Sequence, residues 1–175
     1  MRADCVFHYD SPLGGMTLSS DGEALTGLWF DGQKYFGLGL GESREEKWLP
    51  IFGEAKRWLD LYFSGRDPGF TPPLRVRTTA FRGSVYEILL TVPFGERITY
   101  GEIAARLAAR PEALRVSARA VGGAVGRNPI SLIIPCHRVV GAAGRLTGYA
   151  GGLERKAALL KMEQAGLSRT ETGSL

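Results

Sequence analysis

Apolar and polar positions alternate through the first thirty residues and then change period. Cys5-Val6-Phe7-His8-Tyr9 and Gly15-Met16-Thr17-Leu18-Ser19 follow, or nearly follow, the repeat of two that sets one strand face against a core. Ser20-Asp21-Gly22 supplies a hairpin turn, and Leu25-Thr26-Gly27-Leu28-Trp29-Phe30 reads as the returning strand, closed by Asp31-Gly32. A Gly-rich and then charged stretch follows. Ile51, Ala55, Trp58, Leu59 and Tyr62 next recur at helical spacing up to Phe63, and Ser64 to Pro68 ends that helix. Thr71-Pro72-Pro73 opens a proline-punctuated connection. Beyond Ala80 the pattern is helical, with Val85, Ile88, Leu89 and Val92 on one face of a helix over 82–92 that stops at Pro93-Phe94-Gly95.

Local signals start two further helices. Thr99 and Glu102 form a Thr-x-x-Glu capping box, in which each side chain satisfies a free backbone N–H of the first turn, so a helix begins there and runs to Ala108. Pro111 marks a break. Ser117 then caps a short helix over Ala118–Val125. Two short helices joined by a turn predict a helix-turn-helix unit. The fold class is α+β: residues 1–78 as a small α+β scaffold domain, 79–168 as a mostly helical domain and 169–175 as a tail.

Composition narrows the class. The 175 residues are 44% hydrophobic and 23% charged, as in an ordinary soluble globule. No stretch has the length of a membrane span, and residues 1–20 lack the apolar core of a signal peptide, so a cytoplasmic protein without a membrane role is expected. Charge is divided unequally. Residues 1–79 carry 9 Lys+Arg against 11 Asp+Glu, whereas residues 80–175 carry 13 against 7, a balance of −2 against +6. Most of the cations in the second half are arginines, the side chain best suited to phosphate, and a polyanion is the natural partner.

The candidate chemistry lies in one segment. Ile130-Ser131-Leu132-Ile133-Ile134-Pro135-Cys136-His137-Arg138-Val139-Val140 is an apolar run broken by a proline, after which a thiol sits beside an imidazole. A cysteine is idle until its pKa falls from about 8.5 or a base takes its proton. The apolar flanks predict a buried strand with the thiol on the floor of a pocket, a place for a nucleophile. The other cysteine, Cys5, is far away in sequence, so a disulfide is not expected in a reducing compartment. Cys5 with His8 offers at most two metal ligands and nothing nearby completes a set, so no metal site is expected. Most free cysteines are buried packing, and only the surrounding residues raise Cys136 above that reading.

The helix over 118–125 carries Ala and Gly where a reader of the major groove would carry Asn or Gln. Small residues permit close approach to a narrow minor groove, and equally permit tight packing in a core. Arg119, alone among them, favours nucleic acid.

With these residues assembled, the second half closely resembles the O6-alkylguanine-DNA alkyltransferases. The resemblance rests on Phe94-Gly95-Glu96, Thr99-Tyr100, Ala118-Arg119-Ala120-Val121-Gly122, Asn128-Pro129, Pro135-Cys136-His137-Arg138-Val139-Val140 and Gly148-Tyr149-Ala150-Gly151-Gly152-Leu153. It runs nearly continuously from Val85 to Glu163, and the first half is similar only loosely. The resemblance implies a ribonuclease H-like fold for the N-terminal domain. It also implies direct repair of alkylated DNA: a damaged base is flipped out of the duplex from the minor-groove side, and a cysteine takes the alkyl group once, without a cofactor.

Roles follow from the same resemblance. Cys136 is the acceptor. His137 deprotonates it through a water, and Glu163 orients and charges the histidine. Tyr100 places its hydroxyl against the guanine ring, while Tyr149 and the loop around Ala150 form a pocket wall, with Val139 grouped among the pocket residues. Arg119 is the finger that fills the gap left by the flipped nucleotide, with Ala118, Ala120 and Gly122 on the DNA-facing helix. Asn128 ties that helix to the active-site segment. The chain departs from the pattern in two places. About four additional residues lie between Pro111 and Arg119, which makes Arg115 a competing finger, and Ala150 stands where some members have Ser.

Two other classes compete. A lesion-binding protein that flags damage without removing it would not need Cys136 with its partners. A helix-turn-helix regulator of the adaptive-response kind would need a further cysteine-rich metal domain. The expected protein is a monomeric, single-turnover repair protein acting on O6-alkylguanine, with O4-alkylthymine as a further lesion.

Overall fold

The computed structural model describes residues 3–112 and 115–173. Its first half is a four-stranded sheet in the order β3-β2-β1-β4, built from β1 (Asp4–Ser11), β2 (Gly14–Ser20), β3 (Leu25–Phe30) and β4 (Arg44–Glu46). The hairpin pairs β1 with β2 antiparallel, Phe7 opposite Leu18, and β2 with β3, Met16 opposite Phe30. Alternation along β2 sends Met16 and Leu18 into the core. Thr17 and Ser19 on the other face are buried too, and bond Asp31 and Thr26 through their hydroxyls. Helix α1 (Pro50–Phe63) begins with the proline at its first turn, where no N–H is needed, and buries Phe52, Ala55, Leu59 and Tyr62.

The second half contains α2 (Ala80–Leu89), β5 (Ile98–Thr99), α3 (Tyr100–Ala108), α4 (Ala118–Gly126), β6 (Val139–Val140) and α5 (Leu153–Thr172). The capping box forms as expected, with the Glu102 N–H donating to Thr99 Oγ1 at 3.1 Å and the Thr99 N–H to Glu102 Oε2 at 2.7 Å. Ser117 accepts from the Ala120 N–H at 3.1 Å and starts α4. Helix α2 stops three residues before Val92, because the chain tightens into a turn at Leu90 and Thr91 ahead of Pro93. The residues assigned to a tail from 169 onward continue α5 as far as Thr172.

Two chain segments add themselves to the free edge of β3. Leu25 pairs with Leu74, and Leu28 pairs with Ile130 through bonds of 2.8 Å from the Leu28 N–H to the Pro129 carbonyl and from the Ser131 N–H to the Leu28 carbonyl. The sheet therefore holds the approach to the cysteine directly. One apolar core runs through both halves, joining Phe30, Leu59 and Tyr62 to Ile130, Leu132 and Val139. Helix α5 docks on the end of α1 where Gly166 meets the Gly65 carbonyl. A Cβ at Gly166 would collide with that backbone, so the close approach depends on glycine.

The predicted buried strand from Ile130 to Val140 is not what forms. Only Ile130 and the pair Val139-Val140 are extended, and a turn over 131–134 and a 3-10 turn at Cys136–Arg138 lie between them. Asn128 explains the folding back, because its side-chain amide donates to the carbonyls of both Ile130 (3.2 Å) and Ile134 (2.8 Å). Leu132 accepts a left-handed conformation, φ 69°, to close the turn, and Pro135 has no N–H to offer a strand partner.

Candidate active site

Cys136 heads the 3-10 turn at 5% exposure and opens on a cavity of about 330 Å³. That volume is at the lower end of small-molecule sites. Tyr100 and Gly122 form one wall, and Gly148, Tyr149 and Ala150 form another. The Tyr100 ring lies over Gly122, and its hydroxyl donates to the Thr147 carbonyl at 2.9 Å, which ties α3 to the Gly-rich loop. The Tyr149 hydroxyl is buried with no hydrogen-bond partner among the described residues. Burial pushes the Cys136 thiol up, while a hydrogen bond from Asn128, the charge of Lys156 and nearby backbone groups pull it down. The net direction is upward, so the resting sulfur is a thiol that requires a base.

The candidate base is the next residue. His137 is fully buried, its Nε2 lies 2.6 Å from Glu163 Oε1, and its Nδ1 has no hydrogen-bond partner among the described residues. Burial lowers the imidazole pKa against the opposing pull of Glu163, so the ring is neutral at pH 7. Nε2 then carries the hydrogen donated to Glu163, and Nδ1 is the free basic nitrogen. Glu163 sits among donors. Arg138 binds both of its oxygens, and the Gly95 N–H donates to Oε2 at 2.9 Å. Burial alone would raise its pKa, but the His137 and Arg138 interactions outweigh that and bring it down to about 2.

Most of the further groups at the site carry no signal in the sequence, where the first half reads as scaffolding. Tyr62 of α1 donates its hydroxyl to Glu163 Oε1 at 2.9 Å. Lys34 and Tyr35, from the loop after β3, line the cavity, and the Lys34 N–H donates to the Ala150 carbonyl at 3.1 Å. The Tyr35 ring is flanked by Lys34 and Arg127 at 5.1 and 4.9 Å from its centroid. Lys156 is buried, and its Nζ holds the carbonyls of Thr147 (3.2 Å) and Gly148 (3.1 Å). A signal for Lys156 was present, since it shares the buried stripe of α5 with Leu159, Leu160 and Glu163 at helical spacing.

The other expected residues divide into groups. Ala118, Arg119 and Ala120 are exposed at the start of α4, while Gly122, Gly123 and Gly126 face the cavity, so one short helix supplies both an outer surface and a pocket wall. Asn128 is buried, and its amide ties Ile130 and Ile134 together. Its link to α4 is its own backbone N–H, 3.2 Å from the Val125 carbonyl. Val139 does not line the cavity; it is buried in β6 opposite Ile98. Arg138 serves Glu163 rather than the thiol. Arg115 is exposed before α4, and the additional residues Ala113 and Leu114 lie outside the described residues. Among the described residues no three His, Cys, Asp or Glu side chains converge as metal ligands, and no helix is long and apolar enough to cross a membrane.

Residues 8–76 match the family model of the 6-O-methylguanine DNA methyltransferase ribonuclease-like domain, and residues 80–165 match that of the DNA binding domain. The chain is 45% identical over 166 residues to the methylated-DNA–protein-cysteine methyltransferase of Mycobacterium tuberculosis, covering 91% of this chain and 94% of that one. It is 41% identical over 165 residues to the protein of the same name from Haemophilus influenzae, covering 94% and 88%. The crystal structure of Mycobacterium tuberculosis OGT in complex with DNA superposes with a TM-score of 0.78 at 41% identity, covering 93% of this chain and 94% of that one. With both halves matched, the chain belongs to the 6-O-methylguanine DNA methyltransferase family.

Proposed function

We propose that the protein repairs alkylated DNA by moving the alkyl group from O6 of guanine to Cys136, once per molecule. The observation that carries this reading is a free thiol lining a cavity of about 330 Å³, with the next residue, His137, buried and hydrogen-bonded to Glu163. His137 Nδ1 takes the Cys136 proton through a bridging water, and Glu163 stabilises the imidazolium that results. The thiolate attacks the alkyl carbon, the S–C bond forms as the C–O6 bond breaks, and the electron pair stays on the base. Tyr100 and Tyr149 border the site where that charge develops. A thioether is a poor leaving group, so the protein is consumed, and transfer to Cys136 calls on no cofactor.

The partner is duplex DNA, approached from the minor groove by a monomer. Exposed Ala118 and Ala120 let the α4 backbone come close, and Arg119 fills the stack where the nucleotide has left. A structural relative in complex with DNA supports DNA as the partner. Tyr149 and Ala150 confine the base, and O4-alkylthymine is a second, smaller substrate for the same cavity. Incubation with a duplex containing O6-methylguanine should add one methyl mass to the peptide bearing Cys136, at one equivalent per protein. Unmodified protein beside an intact, bound lesion would establish a damage-binding role instead.

A further inference from the structure

The N-terminal half does more than brace the reactive half. We propose that Tyr62, delivered from α1, is a positioning residue for the cysteine relay: its hydroxyl holds Glu163 and His137 in the arrangement that leaves His137 Nδ1 as the base. This rests on the alkyl-transfer reading above. Three distances support it. The Tyr62 hydroxyl donates to Glu163 Oε1 at 2.9 Å, its oxygen lies 3.1 Å from His137 Nε2, and Nε2 lies 2.6 Å from the same Oε1. The hydroxyl can donate only one hydrogen, which goes to the carboxylate. Its lone pair then faces the Nε2–H, and that hydrogen has two acceptors converging on it. The rival tautomer, with hydrogen on Nδ1, would set a bare Nε2 against the carboxylate oxygen. The Tyr62 ring also packs edge-on to the imidazole, 6.0 Å between centroids at 73°, and limits its rotation.

Nothing in this triangle is exposed: Tyr62, His137 and Glu163 are each at 0%. A buried phenol can be satisfied by any carbonyl, yet this one reaches across the two halves to the one carboxylate that bonds the histidine. Other titratable and charged groups facing the relay are Arg138 beside His137, Lys156 on α5, Tyr149 on the Gly-rich loop and Cys136 itself. Among the described residues bonded to Glu163, only Tyr62 also reaches His137 Nε2.

Tyr62→Phe keeps the ring and deletes the hydroxyl. Its alkyl-transfer rate on O6-methylguanine duplex should fall about tenfold at neutral pH, the scale of one lost hydrogen bond to a charged group. The deficit should shrink as pH rises, because hydroxide then ionises the thiol without the relay. In a Glu163→Gln background the same change should cost little more. A deficit that is constant with pH, or none, would overturn the proposal. The chain has two histidines, so ¹⁵N imidazole spectra of the unaltered protein provide a second test that needs no variant. They should report His137 with its hydrogen on Nε2 and close to a slowly exchanging tyrosine hydroxyl proton. Hydrogen on Nδ1, or no such proton, would also overturn it. An unaltered protein that transfers no methyl group would defeat the repair reading instead, while the spectra would still judge Tyr62.

Discussion

Arg138 grips Glu163 with two nitrogens: Nε lies 3.1 Å from each carboxylate oxygen and Nη2 lies 3.0 Å from Oε1. Its remaining Nη1 donates to the Val92 carbonyl at 2.7 Å. The residue two places after the nucleophile thus has no direct business with sulfur. It neutralises the buried carboxylate that serves the histidine, and a fork of donors suits that task better than a single ammonium.

Removing the guanidinium should therefore be costly in stability. Arg138→Met leaves Glu163 ionised and short of partners in the interior, at a cost of about 3–5 kcal/mol. Urea unfolding would measure it. A loss below about 1 kcal/mol would mean that water enters and solvates the charge.

Acid should unfold the protein partly through the same carboxylate. Its folded pKa of about 2 is below the ordinary value of 4.5, so its contribution is complete above 4.5 and disappears as pH falls toward 2. Glu163→Gln has no such group to titrate. The stability of the unaltered protein should fall more steeply than that of the variant across this window, as followed by thermal unfolding against pH. Parallel curves would contradict the assignment.

Lys156 should tune the sulfur. Its charge favours the Cys136 thiolate, and its Nζ secures the carbonyls of Thr147 and Gly148 at the edge of the cavity. Lys156→Met removes that charge, so thiol ionisation moves to higher pH. The rate of Cys136 modification by iodoacetamide should drop at neutral pH, and its titration midpoint should rise. An unmoved midpoint would confine Lys156 to holding the loop.

Strands and helix starts were legible because their causes are local. The hairpin follows from a period of two broken by Asp21-Gly22, and α3 from Thr99 with Glu102 three residues on. The pairing of His137 with Glu163 was legible through family likeness, whereas spacing alone made Glu163 an ordinary helix residue. What stayed hidden depends on distance in sequence. Tyr62 occupies an apolar position in a periodic helix, and its hydroxyl acquires a purpose only against a carboxylate 101 residues later. The run Ile130–Ile134 looks extended by composition, but the side chain of Asn128 takes the carbonyls a strand would have shared. A one-dimensional pattern registers apolarity there and misses the competition for backbone hydrogen bonds.

Asn128→Ala tests that competition. The carbonyls of Ile130 and Ile134 would lose their amide donor in a buried turn, each unsatisfied group costing about 1–3 kcal/mol. Cys136 would also lose a partner that favours its thiolate. Both stability and thiol reactivity should therefore fall together, read by unfolding and by iodoacetamide kinetics. Loss of stability with unchanged reactivity would leave Asn128 as a turn former alone.

A substitution at Arg119 tests whether base flipping can be separated from chemistry. It is exposed at the head of α4, on the helix whose later residues line the cavity. Arg119→Ala should slow repair of O6-methylguanine in duplex DNA by tenfold or more, on the order of the few kcal/mol that unstacking a base costs. Reaction with free O6-benzylguanine needs no flipping and should change by less than about twofold, within the scatter expected of a surface substitution. Arg115→Ala, the neighbouring candidate, should leave both rates nearly unaltered and weaken duplex binding only through salt-sensitive phosphate contact. If Arg115→Ala instead produced the split between the two substrates, the finger would be Arg115, and the turn before α4 would have to present it to the stack.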